Sequence, residues 1–199
     1  ELQEKGLLVS KANSGIFVAE VLGSAFSPAL IGLFGAHSEA MFDSLDFRRD
    51  MEGLAAERAA RLGSDTDLAV VQQVFSRMEA AHQKRNPADE AQLDTDFHLA
   101  IIEASHNVVM LHMMRSMYDL LREGVFYNRK IIFQHRTTRS MLLDQHRAIN
   151  DALQKRDPPG ARKAIETHID FVRDALTDHL NTEKNEAIAL QRLEFQKQR

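Results

Sequence analysis

The chain has 199 residues, of which 44% are hydrophobic and 27% charged. That balance belongs to an ordinary globular protein long enough to bury a substantial core. It contains no cysteine, which excludes disulfide scaffolds, thiolate zinc sites and cysteine nucleophiles. Lys and Arg number 25 against 29 Asp and Glu, a net charge of −4, so the chain has no bulk attraction for nucleic acid. No apolar run approaches the roughly 18 residues a membrane helix needs. A soluble, cytoplasmic protein is the expectation. The chain opens on Glu-Leu-Gln without a Met or a secretory pattern, which suggests a fragment. The nine histidines are its compositional oddity.

The first twenty residues read differently from the rest. Leu2, Leu7 and Leu8 flank Lys5-Gly6, as if a helix ended on that glycine. Leu8–Ser10 and Ile16–Ala19 then form two β-type runs around the polar turn Lys11–Gly15, which predicts a hairpin. A lone hairpin is too small to be stable, so it should be the end of something larger.

After a loop-like stretch from Gly23 to Pro28, helical periodicity takes over. Asp43 or Ser44 is placed to cap a helix carrying Leu45, Phe47, Met51, Leu54, Ala55 and Leu62, with Gly63 at its end. Ser64-Asp65 opens a second helix that stops before Asn86-Pro87. A third is expected from about Ala88 to Ser105, a long fourth from Val108 to His135, and a fifth from Thr138 to Arg156. Asp157-Pro158-Pro159 opens the last, since proline is tolerated in a first turn. Beyond Asn181 the apolar pattern thins into a charged tail expected to fray. The expected fold is all-α, an antiparallel bundle of six to seven helices after a remnant hairpin. The boundary falls between residues 1–23 and 24–199, with the bundle core at 40–180.

Three helices each turn a histidine towards apolar neighbours. Asp94 and His98 are one turn apart on the third, bordered by Ile101 and Ile102. His146 sits among Leu142, Leu143 and Ile149, and His168 among Ala164, Ile165, Phe171 and Val172. Burying these four polar groups unpartnered costs several kcal/mol. A divalent cation satisfies all of them at once; with no sulfur ligand to discriminate, Zn²⁺, Ni²⁺, Mn²⁺ and Fe²⁺ all suit the set. The plainer alternative is three core histidines, each hydrogen-bonded locally.

Two Glu-x-x-His motifs, Glu79/His82 and Glu103/His106, are of the kind used by di-iron bundles. Both sit at helix ends, and Glu52 is the sole plausible inward glutamate to complete such a site, so they read as chance. Arg48 lies four residues before Glu52 among apolar neighbours. It is either half of a surface ion pair or an inward guanidinium suited to a carboxylate. Met110, Met113, Met114 and Met117 read as core or dimer filler.

Asp94-Thr-Asp-Phe-His98-Leu-Ala-Ile followed by Glu103-Ala-Ser-His-Asn107 resembles the signature of the FCD domain, the ligand-sensing half of FadR-subgroup GntR-type bacterial transcriptional regulators. The resemblance runs through Asp46–Glu52, Asp144–Ile149 and Ala161–His168, in order, over most of residues 40–180. Residues 1–6 resemble the last turns of a recognition helix and 7–18 the wing of a winged helix-turn-helix, so most of the DNA-reading part lies outside this chain. The resemblance implies that Asp94, His98, His146 and His168 are metal ligands and that the protein binds operator DNA as a homodimer. Glu103–His112 and Gln134–Arg139 look most like the regulators of lactate, glycolate and pyruvate metabolism. On that footing a small 2-hydroxy- or 2-oxo-carboxylate is the expected effector, with Arg48 and Asn107 as its contacts. A metal-dependent enzyme and a structural-metal dimerisation module are the alternatives.

Overall fold

The structure, a computed structural model, describes residues 8–11, 15–18, 26–84, 86–122 and 136–197. Its first elements are two strands, β1 (Leu8–Lys11) and β2 (Gly15–Val18), paired antiparallel with Leu8 opposite Val18. Among the described residues every other element is a helix: α1 (Pro28–Ala36), α2 (Ser38–Leu62), α3 (Asp65–Lys84), α4 (Pro87–Ala104), α5 (Val108–Arg122), α6 (Arg136–Gln154) and α7 (Pro158–Lys197).

The helices begin where local chemistry lets them. Ser64 and Asp67 form a reciprocal cap at the start of α3: Ser64 Oγ accepts from the Asp67 amide, and Asp67 Oδ2 accepts from the Ser64 amide. Asn86 Oδ1 accepts from the Ala88 and Asp89 amides at the head of α4, and Asp157 Oδ1 takes the Gly160 amide at the head of α7. His106 and Arg156 adopt positive φ, 51° and 50°, just past the ends of α4 and α6, the left-handed turn that closes many helices.

Two boundaries depart from expectation. The start of α2 is Ser38 rather than Asp43 or Ser44, with a separate short helix, α1, before it; Ser27 caps α1 ahead of Pro28. The tail beyond Asn181 does not end the last helix, which continues to Lys197 with every residue from Leu180 onward exposed. The described part of α5 stops at Arg122, and the rest of the expected long fourth helix, up to His135, lies outside the described residues.

The core forms where α2 packs along α7, with α4 against α2 and α3, and α6 against α3 and α7. Ala55, Ala56, Ala59 and Ala60 are all buried on α2. At Gly53 a Cβ would already touch Arg162 and Glu166 of α7. Small side chains therefore set how closely those two helices approach. Leu45, Phe97, Ile101, Ile102, Ile149, Leu153 and Ile165 fill the centre. Met110, Met114 and Met117 are buried as filler, whereas Met113 faces outward. Among the described residues no helix is long and apolar enough to cross a membrane.

Candidate metal centre

Helical spacing carries the polar residues of the site into the apolar stripes. On α2 the buried positions run Met41, Leu45, Arg48, Glu52, Ala55 and Ala59, alternating steps of four and three. Arg48 and Glu52 thus belong to the core face. On α4, Asp94 and His98 alternate with Phe97 and Ile101 on the inward side; His146 on α6 and His168 on α7 face the same interior. All four are at most 2% exposed.

They meet. One ligand atom from each of Asp94, His98, His146 and His168 lies within 4.8 Å of all the others. Asp94 Oδ1 is 3.1 Å from His146 Nε2 and 3.9 Å from His98 Nε2, and those two nitrogens are 3.4 Å apart. Ligands bound to zinc at 2.0–2.2 Å in a tetrahedron stand about 3.3 Å from one another, so the donor set fits a cation of that size. The ring centroids of His168 lie 4.4 Å from His146 and 5.1 Å from His98. Phe97 presents its edge geometry to both His146 and His98, an apolar wall on that side.

The opposite edges of two rings are held. Glu52 Oε2 lies 2.6 Å from His98 Nδ1, and Gln145 Oε1 lies 3.0 Å from His168 Nδ1. Each of these oxygens calls for a proton on the facing Nδ1, leaving the Nε2 lone pair of a neutral ring to point at the shared space. That is how ligating histidines are oriented by their outer partners. Replacing Gln145 with alanine is therefore expected to weaken zinc affinity by about 10- to 100-fold without unfolding the chain, as read by competition with a chromogenic chelator.

Glu52 is itself anchored. Arg48 Nε donates to Glu52 Oε1 at 2.7 Å, Tyr118 donates to the same oxygen at 2.9 Å, and the second Arg48 nitrogen donates to the Tyr118 hydroxyl at 3.0 Å. Burial by itself raises the Glu52 carboxyl, but Arg48 and then His98 outweigh it and hold that carboxyl well below the usual carboxylate range. Burial, reinforced by Glu52 and opposed by Arg48, keeps the Tyr118 hydroxyl protonated well above the ordinary phenol range. The triad is a charge-balanced unit of anion, cation and neutral phenol behind His98.

The residues expected from sequence fall into two groups. Asp94, His98, His146 and His168 come together as their spacing predicts. Arg48 is buried rather than half of a surface pair, and its described contacts are Glu52 and Tyr118, behind His98. Asn107 is outside the cluster and caps α5, its Oδ1 accepting the Met110 amide at 3.1 Å. Tyr118 and Gln145 were not read from sequence, although Tyr118 continues the buried spacing Met110, Met114, Met117 on α5. The two Glu-x-x-His motifs supply no second centre: Glu103 is exposed and paired with Arg115, Glu79 pairs with Arg147, and His106 with Asp67.

The helical arrangement is shared with a recognised family. Residues 43–171 match the FCD domain family. The chain is 31% identical over 180 residues to the Glc operon transcriptional activator of Escherichia coli, spanning 89% of this chain and 71% of that one. It is equally identical to a putative L-lactate dehydrogenase operon regulatory protein of the same species, over 88% and 68% of the two chains. The Streptococcus agalactiae GntR structure shares the fold with a TM-score of 0.61 at 21% identity, over 87% of this chain and 77% of that one. The chain belongs to the FCD-domain family, within the FadR subgroup of GntR-type transcriptional regulators. It is a regulator with a ligand-binding domain, and not an enzyme.

Proposed function

We propose that Asp94, His98, His146 and His168 hold one divalent cation, most readily zinc, with nickel, manganese and iron(II) as alternatives, and that a small carboxylate effector binds there to modulate operator binding. The observation that carries this reading is the convergence of the four buried donors. A bound cation would supply a Lewis-acidic point on which a carboxylate oxygen can sit. Everything else is done by the chain. Glu52 and Gln145 aim two imidazoles, Arg48 and Tyr118 hold Glu52, and Phe97 keeps one side of the site dry. Arg48 acts through Glu52, and Asn107 as the cap of the neighbouring helix.

The effector we favour is a 2-hydroxy- or 2-oxo-acid such as lactate, glycolate or pyruvate. The names of two relatives, which speak of a Glc operon and an L-lactate dehydrogenase operon, support that choice. Residues 1–23 we read as the end of a winged helix-turn-helix domain, through which a cytoplasmic homodimer meets its operator. An effector shifts such a dimer only through its different affinity for the DNA-competent and displaced states. Because the site joins α4, α6 and α7, with α2 behind it, ligation ties these helices together.

A thermal-shift panel with zinc present tests the reading against lactate, glycolate, pyruvate, citrate and a fatty acyl-CoA. At a hundred times Kd a bound acid adds about 2.7 kcal/mol, so at least one of the three short hydroxy or oxo acids should raise Tm by several degrees. No response to any short acid, with a clear response to zinc alone, would leave the cation as a structural pin in a dimerisation module.

A further inference from the structure

One turn from the cluster along α4, and two along α6, lies a second layer of polar side chains that the proposed centre does not use. Glu90 precedes Asp94 by four residues on α4, and Arg139 precedes His146 by seven on α6, so each stacks over a ligand. Arg139 grips Glu90 in a fork. Nε donates to Oε2 at 3.0 Å, and a terminal nitrogen donates to Oε1. His82 Nδ1, from α3, lies 3.4 Å from Glu90 Oε2.

Between the two layers is a cavity of about 10 Å³ with Met78 and Leu142 on its walls and His146 as its floor. That is about the smallest space that admits one water. Side-chain exposure falls along this line from 25% at His82, through 9% and 7% at Arg139 and Glu90, to 1% at His146. The line therefore runs from solvent to the cluster, narrowed to a water's width and closed by the Glu90–Arg139 ion pair.

We infer that this seam is the passage by which a metal ion reaches the cluster, and that the Glu90–Arg139 bridge is its latch. The inference rests on the metal reading of the four buried donors. The groups along the route are of ligand type: an imidazole at the mouth, a carboxylate next, then the imidazole and carboxylate of the site itself. A divalent cation arriving at His82 competes with the guanidinium for the Glu90 carboxylate. Arg139 is displaced by charge repulsion, and the ion passes to His146 and Asp94. In the absence of a cation the fork re-forms and seals the cluster from water. The latch thus opens to cations in particular, because only a positive charge offers Glu90 an alternative to Arg139.

The test follows zinc uptake by the metal-free 199-residue chain in a stopped-flow instrument, with bound zinc per chain measured at the end of the same run. Because the chain has no cysteine, His82→Cys gives one thiol at the mouth that a bulky maleimide can block. Blocking is expected to slow uptake at least tenfold relative to the unlabelled variant, while the same label on Lys155→Cys, exposed elsewhere, changes nothing. Arg139→Gln removes the charge that closes the latch and leaves the Glu90 carboxylate as the relay ligand, and is expected to speed uptake and chelator-driven release several-fold at unchanged stoichiometry. One zinc per chain with rates indifferent to both the label and Arg139→Gln would overturn the passage alone. No zinc bound by the unaltered chain would overturn the metal reading and the passage together.

Discussion

Arg48→Met is expected to cost about 3–5 kcal/mol, because it strands the ionised Glu52 carboxylate in a dry interior. For a chain of this size that corresponds to a fall in Tm on the order of 10 °C. The reason lies in where the pair sits. Arg48 and Glu52 are each 1% exposed, and Glu52 lies against His98 of the four-donor cluster on its other side. An exposed i,i+4 pair contributes well under ~1 kcal/mol, so denaturant unfolding separates the two cases cleanly. The double variant Arg48→Met/Glu52→Leu removes both charges and should recover a large part of the loss, since apolar replacement of a complete buried pair is often neutral. It should still lose zinc affinity, because His98 then lacks the acceptor that fixes its proton at Nδ1. Single and double variants of equal stability would show that Arg48 does not act through Glu52.

On the proposed metal reading, loading the chain with zinc and then removing it is expected to give the second large effect. With free zinc at a thousand times Kd, binding to the folded state alone adds about 4.1 kcal/mol, and a chelator should take all of it away. His146→Ala should abolish the same increment and make Tm indifferent to zinc. His146 is a sharp choice because its Nε2 lies 3.1 Å from Asp94 Oδ1 and 3.4 Å from His98 Nε2. A Tm that still climbs with zinc in this variant would place the ion elsewhere.

The four converging donors were legible because each sits on a helix whose own spacing marks its inward face. Asp94 and His98 are one turn apart, and the neighbours three and four residues from His146 and His168 are apolar except for Asn150. Such a pattern reports that a polar side chain points inward. Which other polar groups it meets there is decided by packing between helices. Tyr118 reaches Glu52 across 66 positions in the chain and Arg48 across 70, and nothing local to Met117-Tyr118-Asp119 encodes that meeting. Gln145 was hidden differently. It sits beside His146 at a position that reads as surface, yet its amide turns to His168 on the next helix. The same limit applied to Asn107, where a local capping role at the head of α5 competes with any ligand role.

Helix boundaries divide along similar lines. Ser64, Asn86 and Asp157 announce the starts of α3, α4 and α7 through side chains that bond the first free amides. The start of α2 carries no such mark, because His37 makes no side-chain capping bond. The end of α7 shows the reverse error. Apolar periodicity lapses after Leu180, but Glu, Lys, Ala, Gln and Leu dominate the last turns of the helix, and these residues favour helix without any core to bury against.

X-ray absorption at the zinc edge of the zinc-loaded chain tests the central proposition most directly. The expected result is four or more nitrogen and oxygen neighbours near 2.0–2.2 Å, with the multiple-scattering signature of three imidazoles, and loss of one imidazole in His168→Ala. A shell of oxygen alone, or one unchanged by that substitution, would contradict it.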